Sequence, residues 1–249
     1  MLRRAYLYWL VVPLLGLIFC LIPGPNAAGA AGGKLDLSQR WFLDLPEGFA
    51  RIGDEEDEPE IIEFYNEQYE GDAFVFVLDR SSSMGQAAQN GRRKFDILKD
   101  ETIRALSAMS ERSVASVVFY DASIRPLVYG EPPIRMTPAN KSMLIAQVAA
   151  TPLGRGSCML RGVLKALELI QRTREEHRTI ILTSDGRTTC PNGERDPDRI
   201  FQAIMAHNPL RIPINTIYTG PQQGSDWEIG KPLLERIAQA TGGKFKIAR

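Results

Sequence analysis

Five oxygen-bearing side chains fall at three points of this 249-residue chain where an apolar run or a helix begins or ends. Asp79, Ser81 and Ser83 close the run "AFVFVLDRSSS", Ser157 lies in "GRGSCML", and Asp185 lies in "TSDG". Taken singly, Asp and Ser after a strand are ordinary turn and capping residues. Together, two carboxylates and three hydroxyls make a hard-oxygen donor set, suited to Mg²⁺ or Mn²⁺ rather than to zinc. So few charges leave a divalent ion under-neutralised, with water or an incoming acidic group completing its shell.

The elements that must position these residues can be read from residue 73 onward. "AFVFVLD" (73 to 79) is apolar without alternation, as expected of a strand covered on both faces. Residues 93 to 110 set Phe95, Leu98, Ile103, Leu106 and Met109 near one helical face. "ASVVFYD" (115 to 121) reads as a strand. "IRPLVYG" (124 to 130) reads as another after a turn too short for a crossover, hence an antiparallel edge strand where Pro126 is tolerated. Residues 157 to 174 place Leu160, Val163, Leu164, Leu167 and Ile170 at helical spacing. "RTIILTSDG" is a further buried strand, and "DPDRIFQAIMAH" is a helix with Asp196 as cap and Pro197 in its first turn. "IPINTIYTG" is a strand, and "KPLLERIAQATGGKFKIA" is a helix stopped by glycine before a last short strand. This alternation predicts an α/β fold, a doubly wound, mostly parallel sheet with one antiparallel edge strand and helices on both faces. In such sheets ligands bind beyond the carboxyl ends of the strands, where the strand order reverses.

"DRSSS", Ser157 and "SDG", in that order and each at the end of the appropriate element, resemble the metal-ion-dependent adhesion site of von Willebrand factor type A domains. The resemblance covers about residues 73 to 249 and extends to the ending "LERIAQATGGKF". It implies a Rossmann-like fold, a bound Mg²⁺ or Mn²⁺, and metal-binding roles, direct or through water, for Asp79, Ser81, Ser83, Ser157 and Asp185. The sequence departs from the family pattern at Ser82, where Gly is frequent, and at Ser157, where Thr is usual. Serine keeps the hydroxyl but loses the methyl that helps to fix its rotamer.

Cys158 follows Ser157 directly, and Cys190 lies five residues beyond Asp185. Two loops approaching one metal bring these cysteines within reach of a disulfide, the alternative being two unpaired thiols. The function expected is a metal-dependent adhesion or scaffolding module that captures an exposed Asp or Glu of a protein or matrix partner. The alternatives are a metal-free structural domain and a metal-dependent hydrolase. The hydrolase is disfavoured because position 81 is Ser, where a phosphatase with a strand-end Asp nucleophile carries a second carboxylate. His177 and His207, the only histidines, fall away from the site. No enzymatic activity is expected.

Length and composition, 44% apolar, allow one sizeable core. Residues 1 to 33 begin with Arg3 and Arg4, continue with an uncharged apolar stretch to Pro23, and end in small residues. They read as a signal peptide or an N-terminal membrane anchor, which would place the rest outside the cytoplasm, secreted, periplasmic or tethered. Membrane contact is expected only through this segment. Residues 34 to 72 read as an acidic linker or extension, with ten Asp and Glu between 53 and 72. Ile61, Ile62, Phe64, Tyr65 and Tyr69 suggest that its second half packs on the domain. Residues 73 to 249 hold 25 Lys and Arg against 17 Asp and Glu, too dispersed to predict a nucleic-acid surface.

Overall fold

The computed structural model describes residues 58 to 248 apart from Ile124 and Arg187. The expected leader, and most of the expected linker, lie outside the described residues. Among the described residues no helix is long and apolar enough to cross a membrane.

A six-stranded sheet forms the centre, in the order β5-β4-β3-β6-β7-β8. Its members are β3 (Ala73–Asp79), β4 (Val114–Tyr120), β5 (Leu127–Arg135), β6 (Arg178–Ser184), β7 (Ile214–Tyr218) and β8 (Phe245–Ile247). All adjacent pairs are parallel except β4 and β5. The antiparallel edge strand expected near residue 124 is therefore present, starting at Leu127 and running to Arg135.

Strand β3 has no polar alternation because both of its faces are covered. Phe74, Phe76 and Leu78 enter one core with Phe95, Leu98 and Leu106 of α1 (Lys94–Ala108) and with Leu144 and Val148 of α2 (Pro138–Ala150). Val75 and Val77 enter the other, with Val163 and Leu167 of α3 (Met159–Ile170), Ile200 and Ile204 of α4 (Pro197–Ala206), and Leu234 and Ile237 of α5 (Ser225–Thr241). Burial of this apolar surface is the main favourable contribution to the fold.

Residues 60 to 71 form a two-stranded hairpin, β1 (Glu60–Phe64) and β2 (Glu67–Gly71), rather than extended chain. Its two-residue turn is made by Tyr65 and Asn66, both at positive φ, which matches the twist of a hairpin. Ile62, Phe64, Tyr65 and Tyr69 join the α1 side of the core, as their apolar character led one to expect, whereas Ile61, on the other face of β1, is exposed. Cations of the body meet its acids: Arg104 lies 3.5 Å from Glu63, and Lys244 and Lys246 each lie 3.5 Å from Glu67.

Helix α2 has no counterpart in the sequence reading. It is capped by Thr137, whose hydroxyl accepts from the Asn140 amide, and has Pro138 in its first turn, but it buries only Leu144 and Val148. Two buried positions in 13 residues give a faint apolar period. Helix α5 begins at Ser225, ahead of the expected "KPLLER", with Pro232 inside it. Trp227 in the added turn packs edge-on against Tyr218, with ring centroids 5.5 Å apart.

Candidate metal centre

The strand order reverses between β3 and β6, since the chain passes from β3 to β4 on one side and later returns to β6 on the other. The crevice expected at such a point lies where β3 and β6 end, and these ends carry Asp79 and Asp185.

Asp79 is fully buried. One oxygen accepts the Ser81 amide at 2.7 Å, and the other lies 3.1 Å from the Tyr120 hydroxyl, which also donates to the Thr183 carbonyl at 2.8 Å. The Asp79 amide donates to the Thr183 hydroxyl at 3.3 Å. After Asp79 the backbone turns through one 3₁₀ turn, Ser82–Gly85, anchored by buried Met84. This turn sets Ser81 Oγ and Ser83 Oγ 2.9 Å apart while Ser82 stays exposed. Arg80 points elsewhere, to Asp121 at 2.7 Å.

Ser157 reaches the same place from another loop. Surface cavity walls of about 490 Å³ are shared by Ser81, Ser83 and Ser157, with Thr189 and Cys190. The loop is bound to its neighbours by main-chain bonds: Gly154 amide to Arg80 carbonyl, Ala122 amide to Arg155 carbonyl, and Cys158 amide to Asp121 carbonyl. Its hydroxyl, Ser157 Oγ, is buried and has no hydrogen-bond partner. Leaving such a group unmet costs about 1 to 3 kcal/mol.

Asp185 is 7% exposed and faces a second cavity of about 600 Å³, shared with Ser83. Lys94 Nζ lies 3.9 Å from it. Gly186 follows with φ +147°, and a Cβ there would stand 2.6 Å from the Asp226 Cβ, so the Asp-Gly pair is required by the seating of α5. Burial pushes the Asp79 carboxyl up to about 7, with the nearby Asp185 charge adding to the effect. Burial likewise raises Asp185, although Ser83 and Lys94 oppose the rise. The two buried carboxylates thus repel one another, an arrangement that a cation nearby would relieve.

Cys158 and Cys190 are joined by a disulfide, Cα to Cα 4.5 Å, which ties the Ser157 loop to the loop following β6. Beside it the Thr189 amide donates to the Ser157 carbonyl at 2.7 Å, and the Met159 amide donates to the Thr188 hydroxyl at 2.8 Å. All five residues singled out in the sequence therefore border one edge. Sequence reasoning passed over Tyr120, Lys94, Thr188 and Thr189. Of these, only the "TT" beside Cys190 offered a signal, as hydroxyls between the Asp-Gly pair and a cysteine. Among the described residues no group of three or more His, Cys, Asp or Glu could hold a metal, so a cation here would depend on the hydroxyls. His177 and His207 lie at the other end of the strands: His177 Nδ1 is 2.8 Å from Asp72, and His207 follows α4.

A family model for the von Willebrand factor type A domain matches residues 74–187. Solved structures share the fold at low identity. The von Willebrand factor type A protein from Catenulispora acidiphila has a TM-score of 0.57 and 21% identity, over 72% of this chain and 39% of that one. The PilB minor pilin from Streptococcus sanguinis has 0.55 and 15%, over 73% and 58%. The pilus adhesin SpaC from Lactobacillus rhamnosus GG has 0.56 and 9%, over 72% and 29%. The chain thus spans less than two thirds of each of these three proteins. No curated protein matches the sequence.

Proposed function

We propose that this chain is a binding module in which Asp79, Ser81, Ser83, Ser157 and Asp185 hold Mg²⁺ or Mn²⁺ and present it to an acidic side chain of a protein or matrix partner. The observation that carries the reading is the Ser157 hydroxyl, buried and unpartnered beside the Ser81 and Ser83 hydroxyls. An orphaned oxygen beside two further hydroxyls, at the sheet edge that also carries two repelling carboxylates, fits a hard cation. When bound, the ion would supply a Lewis-acidic position for the partner's carboxylate. The protein's own share is orientation: the 3₁₀ turn aims Ser81 and Ser83, the Asp79 carboxylate is held by the Ser81 amide and Tyr120, and the disulfide holds Ser157 against the loop after β6.

The module is not an enzyme in this reading, because neither histidine stands near the carboxylates and position 81 carries a hydroxyl. We place it outside the cytoplasm, secreted, periplasmic or tethered through residues 1 to 33. The disulfide and the pilin and adhesin among its structural neighbours support that placement. A metal-free scaffold is the second reading, favoured by Lys94, whose ammonium gives Asp185 an internal counter-charge.

The test is calorimetric titration of Mg²⁺ and Mn²⁺ into the full chain in detergent, beside Asp79→Ala. Saturable binding in the wild type and none in the variant supports the metal-dependent module. No heat in either, with partner capture unchanged by chelator, moves the assignment to the scaffold.

A further inference from the structure

We propose that the cavity beside Asp185 is the specificity groove of this site and that it takes an extended partner segment carrying an aliphatic residue two positions from the metal-binding acid and a second acidic residue beyond it. The proposal rests on the metal-dependent reading above. The groove's volume, about 600 Å³, lies in the range of roughly 300 to 1,000 Å³ typical of ligand sites. Ser83 and Asp185 are part of its lining, so a segment whose acid reaches the ion can run along it.

The adjoining wall, on the α5 side, is apolar in part. Ile229 and Leu233 of α5 and Pro197 of α4 line it. Ile229 is 40% exposed. The other exposed large apolar side chains among the described residues, Ile61, Met143 and Leu210, line neither cavity at the metal edge. In an extended segment residues i and i+2 project to the same side, so an acid directed to the ion sends the side chain two positions on toward this wall.

The charges then choose the other end of the segment. Arg195 lines the cavity, and among the described residues its guanidinium has no ion pair, because the flanking Glu194 and Asp196 both face Arg199, at 3.9 and 3.7 Å. Arg195 is thus the cation of the lining that can receive a second acid of the segment. The wall is also rigid with respect to the metal residues. A Cβ on Gly230 would come within 2.5 Å of the Gly186 backbone, so the first turns of α5 sit directly on the loop that carries Asp185. Groove and metal ligand thus keep one spacing, a requirement for reading a sequence rather than a bare carboxylate.

The experiment titrates the blocked peptide Asp-Ser-Leu-Ser-Glu into Mg²⁺-saturated full chain, alongside versions with Leu replaced by Ser and with Glu replaced by Gln. Partial burial of the leucine is expected to make the parent bind about ten-fold tighter than the Ser version. Losing the Glu charge is expected to cost about five-fold, as for a partly exposed charge pair. Ile229→Ser should abolish the first preference alone and Arg195→Gln the second alone, with Mg²⁺ affinity unchanged in both variants. Mg²⁺ binding with equal peptide affinities, or preferences that survive the variants, overturns the groove and leaves the metal site standing. No Mg²⁺ binding in the wild type overturns both.

Discussion

The two ends of the central sheet treat buried polar groups in opposite ways. At the amino-terminal edge of the strands nearly every such group has a partner. Glu60 receives the Ser110 amide and the Ser110 and Ser113 hydroxyls, the Asn208 side chain closes on both main-chain groups of Ile212, and Asn215 bridges Lys244 and Ile180. The Tyr69 hydroxyl is the exception there. At the carboxyl-terminal edge two buried carboxylates repel one another, and a buried hydroxyl bonds to nothing. The first arrangement contributes stability, because buried polar groups cost free energy unless they are matched. The second gives up stability at the point where an outside group could be received, a pattern expected of binding sites.

The largest expected effect tests the tie between the loops at the open end. Replacing Cys158 and Cys190 together by Ala should lower stability by about 3 to 4 kcal/mol in the chain-entropy model, as the closed loop spans 32 residues. It should also weaken Mg²⁺ binding by freeing Ser157. Denaturant melts and calorimetry read the two losses separately, and unchanged Mg²⁺ affinity would show that the disulfide serves the fold alone.

Next in size is the response to metal itself. Mg²⁺ at a hundred times its dissociation constant should stabilise the wild type by about 2.7 kcal/mol. Thermal melts of Asp79→Ala should show no such gain, and in chelator the variant should melt no lower than the wild type at pH 8, since it has shed a buried charge.

Acidity sharpens the contrast further. With the Asp79 carboxyl raised to about 7, the folded, metal-free protein holds a proton that the unfolded chain has already lost over the range from about pH 4 to 7. Stability in chelator should therefore fall as pH rises through that range, while the gain from Mg²⁺ should grow. A metal-free stability that is flat between pH 5 and 8 would contradict the burial of an uncompensated carboxylate.

Smaller effects come from single cations at each end. Lys94→Met should tighten Mg²⁺ binding several-fold, because it removes the charge that competes for Asp185. His177→Gln, at the matched end, should cost under about 1 kcal/mol, as its pair with Asp72 is partly exposed, and should leave metal affinity unchanged. An altered affinity there would break the separation between the two edges.

The sequence by itself determined the central strands, the order of α1, α3 and α4 and the antiparallel edge strand, and it pointed to Cys158 with Cys190 as a disulfide and to five oxygen residues at the ends of these elements. These signals are local: an apolar run without alternation means a strand buried on both faces, and a helix that buries a full stripe shows its period. Where the stripe thins, as in α2 with Leu144 and Val148 alone, the period fades and the helix goes unread. Hairpin β1-β2 was legible only as apolar residues in an acidic stretch, because its Tyr65-Asn66 turn lacks the glycine that marks most such turns. Tertiary structure alone decided the rest. It set Asp79 against Asp185 from strands over 100 residues apart, left Ser157 unpartnered, brought Lys94 from α1 to the site, and seated α5 on Gly186. Those relations depend on which strands neighbour one another across the sheet, and no local pattern of residues encodes that adjacency.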